Sequence, residues 1–239
     1  MAISQSQQQL LDELVSRLRS GAGANLEAVV LFGSAAGEEF QPRHSDLNVL
    51  CLLKTVDAAA LEGAAPAVAW WRGKKQPAPV FFGAAELVRS ADVFAIELHD
   101  MYSRHRLLFG ADPFATLAIP MDLHRIEVER ELRTSLLRLR HRFLEAKGEK
   151  AVAALMADSI STFLTLFRHA LIALGEPAVA HRRQALDRLA VVLAFDAAPL
   201  HAVLDFRDGK PLPAPAAQMF RGYLDSIARV TEEVDRRLA

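Results

Sequence analysis

Leu31-Phe32-Gly33-Ser34, followed eleven positions after Ser34 by Ser45-Asp46-Leu47-Asn48-Val49-Leu50, is the pair of stretches on which the fold turns. The first stretch closes an apolar run, residues 27–32, whose composition predicts a short buried strand. Residues 47–53 form a second such run with β-branched content. Between them, residues 35–44 are polar and include Pro42, which predicts a loop or a short helix. Strand side chains alternate between two faces. Asp46 and Asn48 are therefore expected on one side, with Leu47 and Val49 turned into a core.

Outward from this centre, Leu10, Leu11, Leu14, Val15 and Leu18 recur at helical spacing, with Gly21 as the expected stop. Asp57 can cap a helix running towards Trp71, which Pro66 should kink or interrupt. Residues 73–77 read as a turn and 79–82 as a third strand. Residues 92–99 read as a fourth strand, with a helix as the alternative, and 106–109 as a last short one. Two prolines and a glycine between Gly110 and Pro120 mark a change of character. The expected division is residues 1–115 and 116–239.

Beyond Met121 the periodicity is helical. Stripes run through Leu132, Leu136, Leu139 and Phe143; through Leu186, Leu189, Ala190 and Leu193; and through Phe220, Tyr223, Leu224, Ile227, Val230 and Val234. Residues 151–174 are apolar nearly all round, as a central buried helix is. The fold class expected is α+β: a small mixed sheet with flanking helices, then an all-α bundle of four or five helices. Asp158 and Arg168 on the apolar helix must either pair or line a cleft.

Composition narrows the function classes. A formal net charge of −1 gives no bulk attraction for nucleic acid or for an anionic membrane. The single cysteine, Cys51, excludes an intrachain disulfide and sits in an apolar run, where a buried residue is expected. The polar first nine residues lack a signal-peptide core, and residues 151–174 carry two charges. A cytoplasmic protein with no membrane partner is the expectation. The acids and arginines of residues 125–142 interleave as a solvated, salt-bridged face. Trp70 and Trp71 suit a core, or stacking on a base.

The chemistry centres on the two opening stretches. Gly33 lets backbone approach a phosphate closely, and Ser34, if it opens a helix, would present free N–H groups to an anion. Arg43 and Ser45 offer cationic and hydroxyl contacts. Asp46 offers a carboxylate, the hard anionic oxygen that Mg²⁺ prefers. Asn48 adds a carbonyl oxygen without charge. The third strand carries no acid. Glu97, if residues 93–99 are a strand, would place an acid on its polar face.

The apolar-Gly-Ser motif followed by Ser-Asp-Leu-Asn resembles the signature of DNA-polymerase-β-like nucleotidyltransferases, in the manner of bacterial aminoglycoside-type and stand-alone members with a C-terminal helical domain. Asp-x-Asn stands here where that family has Asp-x-Asp. The resemblance implies a nucleotide, ATP or another nucleoside triphosphate, near Gly33, Ser34, Arg43 and Ser45. It implies Mg²⁺ at Asp46 and, weakly, at Asn48, with Glu97 as a third ligand or general base. An acceptor would lie between sheet and bundle, and a homodimer is compatible with such a cleft. Two activities follow. One is metal-dependent transfer of a nucleoside monophosphate to a hydroxyl of a small molecule or protein. The other is a catalytically degenerate module that binds a nucleotide or a partner.

Overall fold

The computed structural model describes residues 3–37, 46–177, 179 and 181–238. It divides into two compact units, Met1–Pro120 and Met121–Ala239.

The first unit is built on a four-stranded mixed sheet in the order β3-β2-β1-β4. The strands are β1 (Leu26–Phe32), β2 (Asn48–Leu53), β3 (Val80–Gly83) and β4 (His105–Gly110). β1 pairs antiparallel with β2 and with β4, and β2 pairs parallel with β3. Both faces of the sheet are covered. On one, Val29, Leu31, Val49, Cys51 and Leu53 pack against Leu11, Leu14 and Leu18 of α1 (Gln5–Ala22) and against Ala64, Ala67 and Trp71 of α2 (Ala58–Gly73). On the other, Ala28, Val30, Leu50 and Leu52 pack against Leu87 of α3 (Ala84–Arg89), Leu98 and Met101 of α4 (Ala95–Ser103), and Phe114 beyond β4.

Three local expectations change in the structure. Gly21 does not stop α1. The helix runs on to Ala22 and is closed by Gly23, whose φ of 54° favours glycine. Gly21 instead meets Gly63 of α2, and a Cβ on Gly21 would come within 2.2 Å of the Gly63 carbonyl oxygen. Glycine inside a helix costs about 1 kcal/mol. Each fully buried leucine that this close approach brings together contributes about 1.5–3 kcal/mol, so the packing wins. Pro66 does not interrupt α2, which continues unbroken to Gly73. Pro66 and Glu62 both face solvent, where water can take the carbonyl that proline leaves without a helical donor.

Residues 93–99 are not a strand. Ala95, Ile96, Leu98 and Met101 are the buried residues of α4. Apolar residues at 95, 98 and 101 satisfy a helical repeat, while 94, 96 and 98 satisfy alternation, so the short run fits both periods. Asp57 caps α2 as expected, its Oδ1 accepting the Ala60 N–H at 2.8 Å. Trp71 is fully buried and donates from Nε1 to the Pro77 carbonyl at 2.8 Å. Trp70 is half-buried beneath the Arg17 guanidinium, 4.6 Å from its ring centre. Burial pushes the Cys51 thiol up to about 12, which leaves it a core residue.

The second unit consists, among the described residues, of five helices: α5 (Met121–Glu145), α6 (Gly148–Ala173), α7 (Arg182–Leu193), α8 (Ala198–Arg207) and α9 (Ala216–Leu238). The apolar α6 is the hub and packs against the other four. By length and composition α6 could cross a membrane, yet half of its most apolar window is buried against its neighbours. Phe143 stacks on Phe220 with ring centres 4.0 Å apart. Asp158 is exposed and paired with Arg142 at 3.2 Å, so the charge on α6 points out of the core. His124 and His169, both fully buried, meet at 2.9 Å between Nε2 and Nδ1.

Candidate functional site

β1 ends at Phe32, and Gly33 takes a φ of 79°, a left-handed value that disfavours any side chain. The chain then makes a four-residue 3-10 turn, Gly33–Ala36, closed by the Gly37 N–H donating to the Ser34 carbonyl at 3.3 Å. Phe32 is the register partner of Asn48, so the first residue of β2 stands beside this turn. A Cβ placed on Gly33 would lie 3.5 Å from Asn48 Nδ2. The side-chain amide of Asn48 therefore flanks the backbone of the Gly-Ser turn.

Burial alternates along the approach to β2: Asp46 is exposed, Leu47 buried and Asn48 half-buried. Leu47 is held from both directions. Its side chain lies in the α1–α2 core, and its N–H donates to Gln76 Oε1 at 2.9 Å. That anchor fixes the residue between Asp46 and Asn48. Arg43 and Ser45 lie outside the described residues.

The third wall comes from the end of α4. The Gly33 N–H donates to the Arg104 carbonyl at 3.0 Å, and His105, the next residue, pairs with Phe32 at the start of β4. The Arg104 side chain crosses the far end of the same turn: a Cβ on Gly37 would lie 3.4 Å from its Cδ. Behind it, His105 Nε2 lies 3.2 Å from Asp112 Oδ2, and the Phe114 N–H donates to Asp112 Oδ1 at 2.9 Å. Burial works against the Asp112 charge, but the Phe114 N–H and His105 outweigh it, so its carboxyl titrates below its usual range.

The structure thus brings Gly33, Ser34 and Asn48 to one end of the sheet, with Asp46 two residues before Asn48. Ser34 does not open an α-helix. The turn is a single 3-10 turn of four residues whose first N–H donates to the Arg104 carbonyl. Glu97 is exposed on the first turn of α4, where a carboxylate complements the helix dipole. Arg104 follows the last turn. Glu97 lies seven residues before Arg104, on the first turn of the helix whose far end meets the Gly33 turn. Arg104 and Gln76 are the residues that sequence reasoning missed. Arg104 belongs to a short basic run, Arg104-His105-Arg106, that is visible in the sequence; nothing in the sequence singles out Gln76.

Neither a protein-family model nor a curated protein sequence matches the chain. Among solved structures, the fold is similar to that of spectinomycin adenyltransferase AAD(9) from Enterococcus faecialis, determined with ATP and spectinomycin. The TM-score is 0.58 at 13% sequence identity, covering 95% of this chain and 99% of that one. At that identity the likeness is one of fold: a small mixed sheet with flanking helices together with a helical region.

Proposed function

We propose that this protein transfers a nucleoside monophosphate from a nucleoside triphosphate, ATP or another, to a hydroxyl of a small molecule or protein. The observation that carries the reading is the Asn48 amide beside the glycine turn at Gly33, two residues after the exposed Asp46. The fold likeness to an adenyltransferase solved with ATP supports it. In this reading residues 1–115 bind the nucleotide through Gly33, Ser34, Arg43 and Ser45, and residues 116–239 serve the acceptor or a partner.

The donor set is one carboxylate, Asp46, and one neutral amide, Asn48. It suits a single Mg²⁺ arriving on the triphosphate, whose own oxygens complete a hard-oxygen shell, and it does not suit two protein-held ions. Such an ion would neutralise charge on the phosphates. The acceptor oxygen forms a bond to the α-phosphorus as the bond to the β-phosphate bridging oxygen breaks, and pyrophosphate leaves. Glu97, which shares α4 with Asp100, is the acid proposed to take the hydroxyl proton or to serve as a third ligand.

A second reading is favoured by Asn48 itself: with one carboxylate lost, the site binds a nucleotide or a partner without turnover. The two readings separate in one assay. ATP labelled on the α-phosphate is incubated with Mg²⁺ and a panel of hydroxyl acceptors, and label transfer is followed in the wild type and in Asp46→Ala. Transfer that disappears in the variant supports the enzyme. Measurable ATP binding without transfer by the wild type supports the binding module.

A further inference from the structure

We infer that the Arg104 guanidinium is the cation that receives the nucleotide's phosphates in this site, an inference that rests on the nucleotide reading above. A triphosphate brings several negative charges, and the Gly33–Ala36 turn does not meet them with a helix terminus. The turn spans four residues, and its Gly33 N–H is used internally. Of the flanking side chains, Asp46 is an acid and Asn48 is neutral, so neither supplies positive charge. Among the described residues, Arg104 is the cation whose stem the structure places against the turn.

Arg104 is tied to this turn twice. Its carbonyl accepts the Gly33 N–H at 3.0 Å, at the end where the nucleotide's phosphates are expected. Its stem runs past Gly37 at the other end, with Cδ 3.4 Å from the place a Cβ would occupy. The Gly37 backbone, with a φ of −115°, is one that any residue adopts. A Cβ at 37 would sit in ordinary van der Waals contact with the arginine stem, so the stem lies directly along this end of the turn. The next residue, His105, is already paired in β4, so the backbone that carries the guanidinium is ordered before any ligand arrives. That lowers the ordering cost of binding. A guanidinium offers a planar fork of donors matched to phosphate oxygens. The Asn48 amide on the opposite side of Gly33 adds a neutral donor.

The test is calorimetric titration of the full-length protein with ATP, ADP and AMP, each in Mg²⁺. Wild type is compared with Arg104→Met, which keeps the stem over Gly37 and removes the charge, and with Arg104→Lys. Thermal melts check the fold. Arg104→Met is expected to weaken ATP binding roughly tenfold to a hundredfold, in line with loss of a charge-assisted contact. AMP binding should change far less, and Arg104→Lys should fall between. Gly37→Val, which leaves Arg104 in place and crowds its stem, should also lose ATP in preference to AMP. It stands in should Arg104→Met fail to fold. A folded Arg104→Met protein that binds ATP like the wild type overturns the inference. So does an equal loss for all three nucleotides, or a loss confined to Arg43→Gln run in parallel. A wild type that binds none of the three overturns the nucleotide reading together with it.

Discussion

Two asparagines mark the two ends of the β1–β2 pair, and their surroundings differ. At the closed end, Asn25 just before β1 is taken up entirely by the residues after β2. Its Nδ2 donates to the Thr55 carbonyl at 2.9 Å, and its Oδ1 accepts the Thr55 N–H at 3.1 Å and the Thr55 hydroxyl at 3.3 Å. Its carbonyl accepts the Lys54 N–H at 2.9 Å. At the open end, Asn48 flanks Gly33, and no described residue hydrogen-bonds its side chain. Where polar groups satisfy one another the end is structural; where they are left to solvent they are available to a ligand. The same amide does different work because of what the chain places opposite it.

The largest effect should therefore come from the open end. Asp46→Asn keeps the size of the side chain and removes the charge. Nucleotide transfer is expected to fall on the order of a hundredfold or more, with the melting temperature unchanged because the side chain is exposed and Leu47 still anchors the strand. A melting temperature that drops along with activity would erase the contrast between the ends, since Asp46 would then be structural too.

Asn48→Asp is the converse change. Restoring a second carboxylate raises the ligand charge on which divalent-cation affinity depends. Roughly tenfold tighter Mg²⁺-dependent ATP binding is expected, measured by titrating Mg²⁺ at fixed ATP. No change would place Asn48 outside the metal's reach and leave its amide as a phosphate donor only.

The contrast also explains how much could be read from the sequence. The open end was legible because its motif is contiguous in the chain: strand, Gly-Ser, strand start. The sheet-then-bundle order followed from a change of hydrophobic period, which any window of the sequence carries. The run from Val93 to His99 fits alternation and helical spacing equally well; α4 is decided by burial of Leu98 and Met101 against the sheet, a tertiary choice. Pro66 and Gly21 misled for a related reason. Local propensity gave way to the α1–α2 contact at Gly63 and to solvent on the proline side. Arg104 and Gln76 lie 71 and 29 positions from the residues they touch, Gly33 and Leu47 (104 − 33 and 76 − 47), so only the assembled sheet brings them together.

At the closed end, Asn25→Ala removes three side-chain hydrogen bonds to Thr55. Water can replace part of them at this exposed position, so a loss of about 1–2 kcal/mol in chemical denaturation is expected. ATP affinity of the folded protein should not move. An Asn25→Ala protein that loses ATP binding while still folded would mean the two ends communicate along β1 and β2.

Gln76→Ala probes a contact that links the turn before β3 to the open end. It deletes the acceptor of the Leu47 N–H and leaves that donor half-buried. A cost of about 0.5–1.5 kcal/mol is expected from a single hydrogen bond of this kind, less than at Asn25 because the Leu47 side chain still holds its place in the α1–α2 core. The functional effect should be of the same small size. The peptide between Asp46 and Leu47 gains freedom, so Asp46 is ordered less before the ligand arrives, and binding must supply that ordering. A few-fold weakening of Mg-ATP binding, with a stability loss smaller than that of Asn25→Ala, is the expected signature. If instead Gln76→Ala destabilised the fold as much as Asn25→Ala and left binding untouched, the Gln76 contact would belong with the closed end, as part of the frame and not of the site.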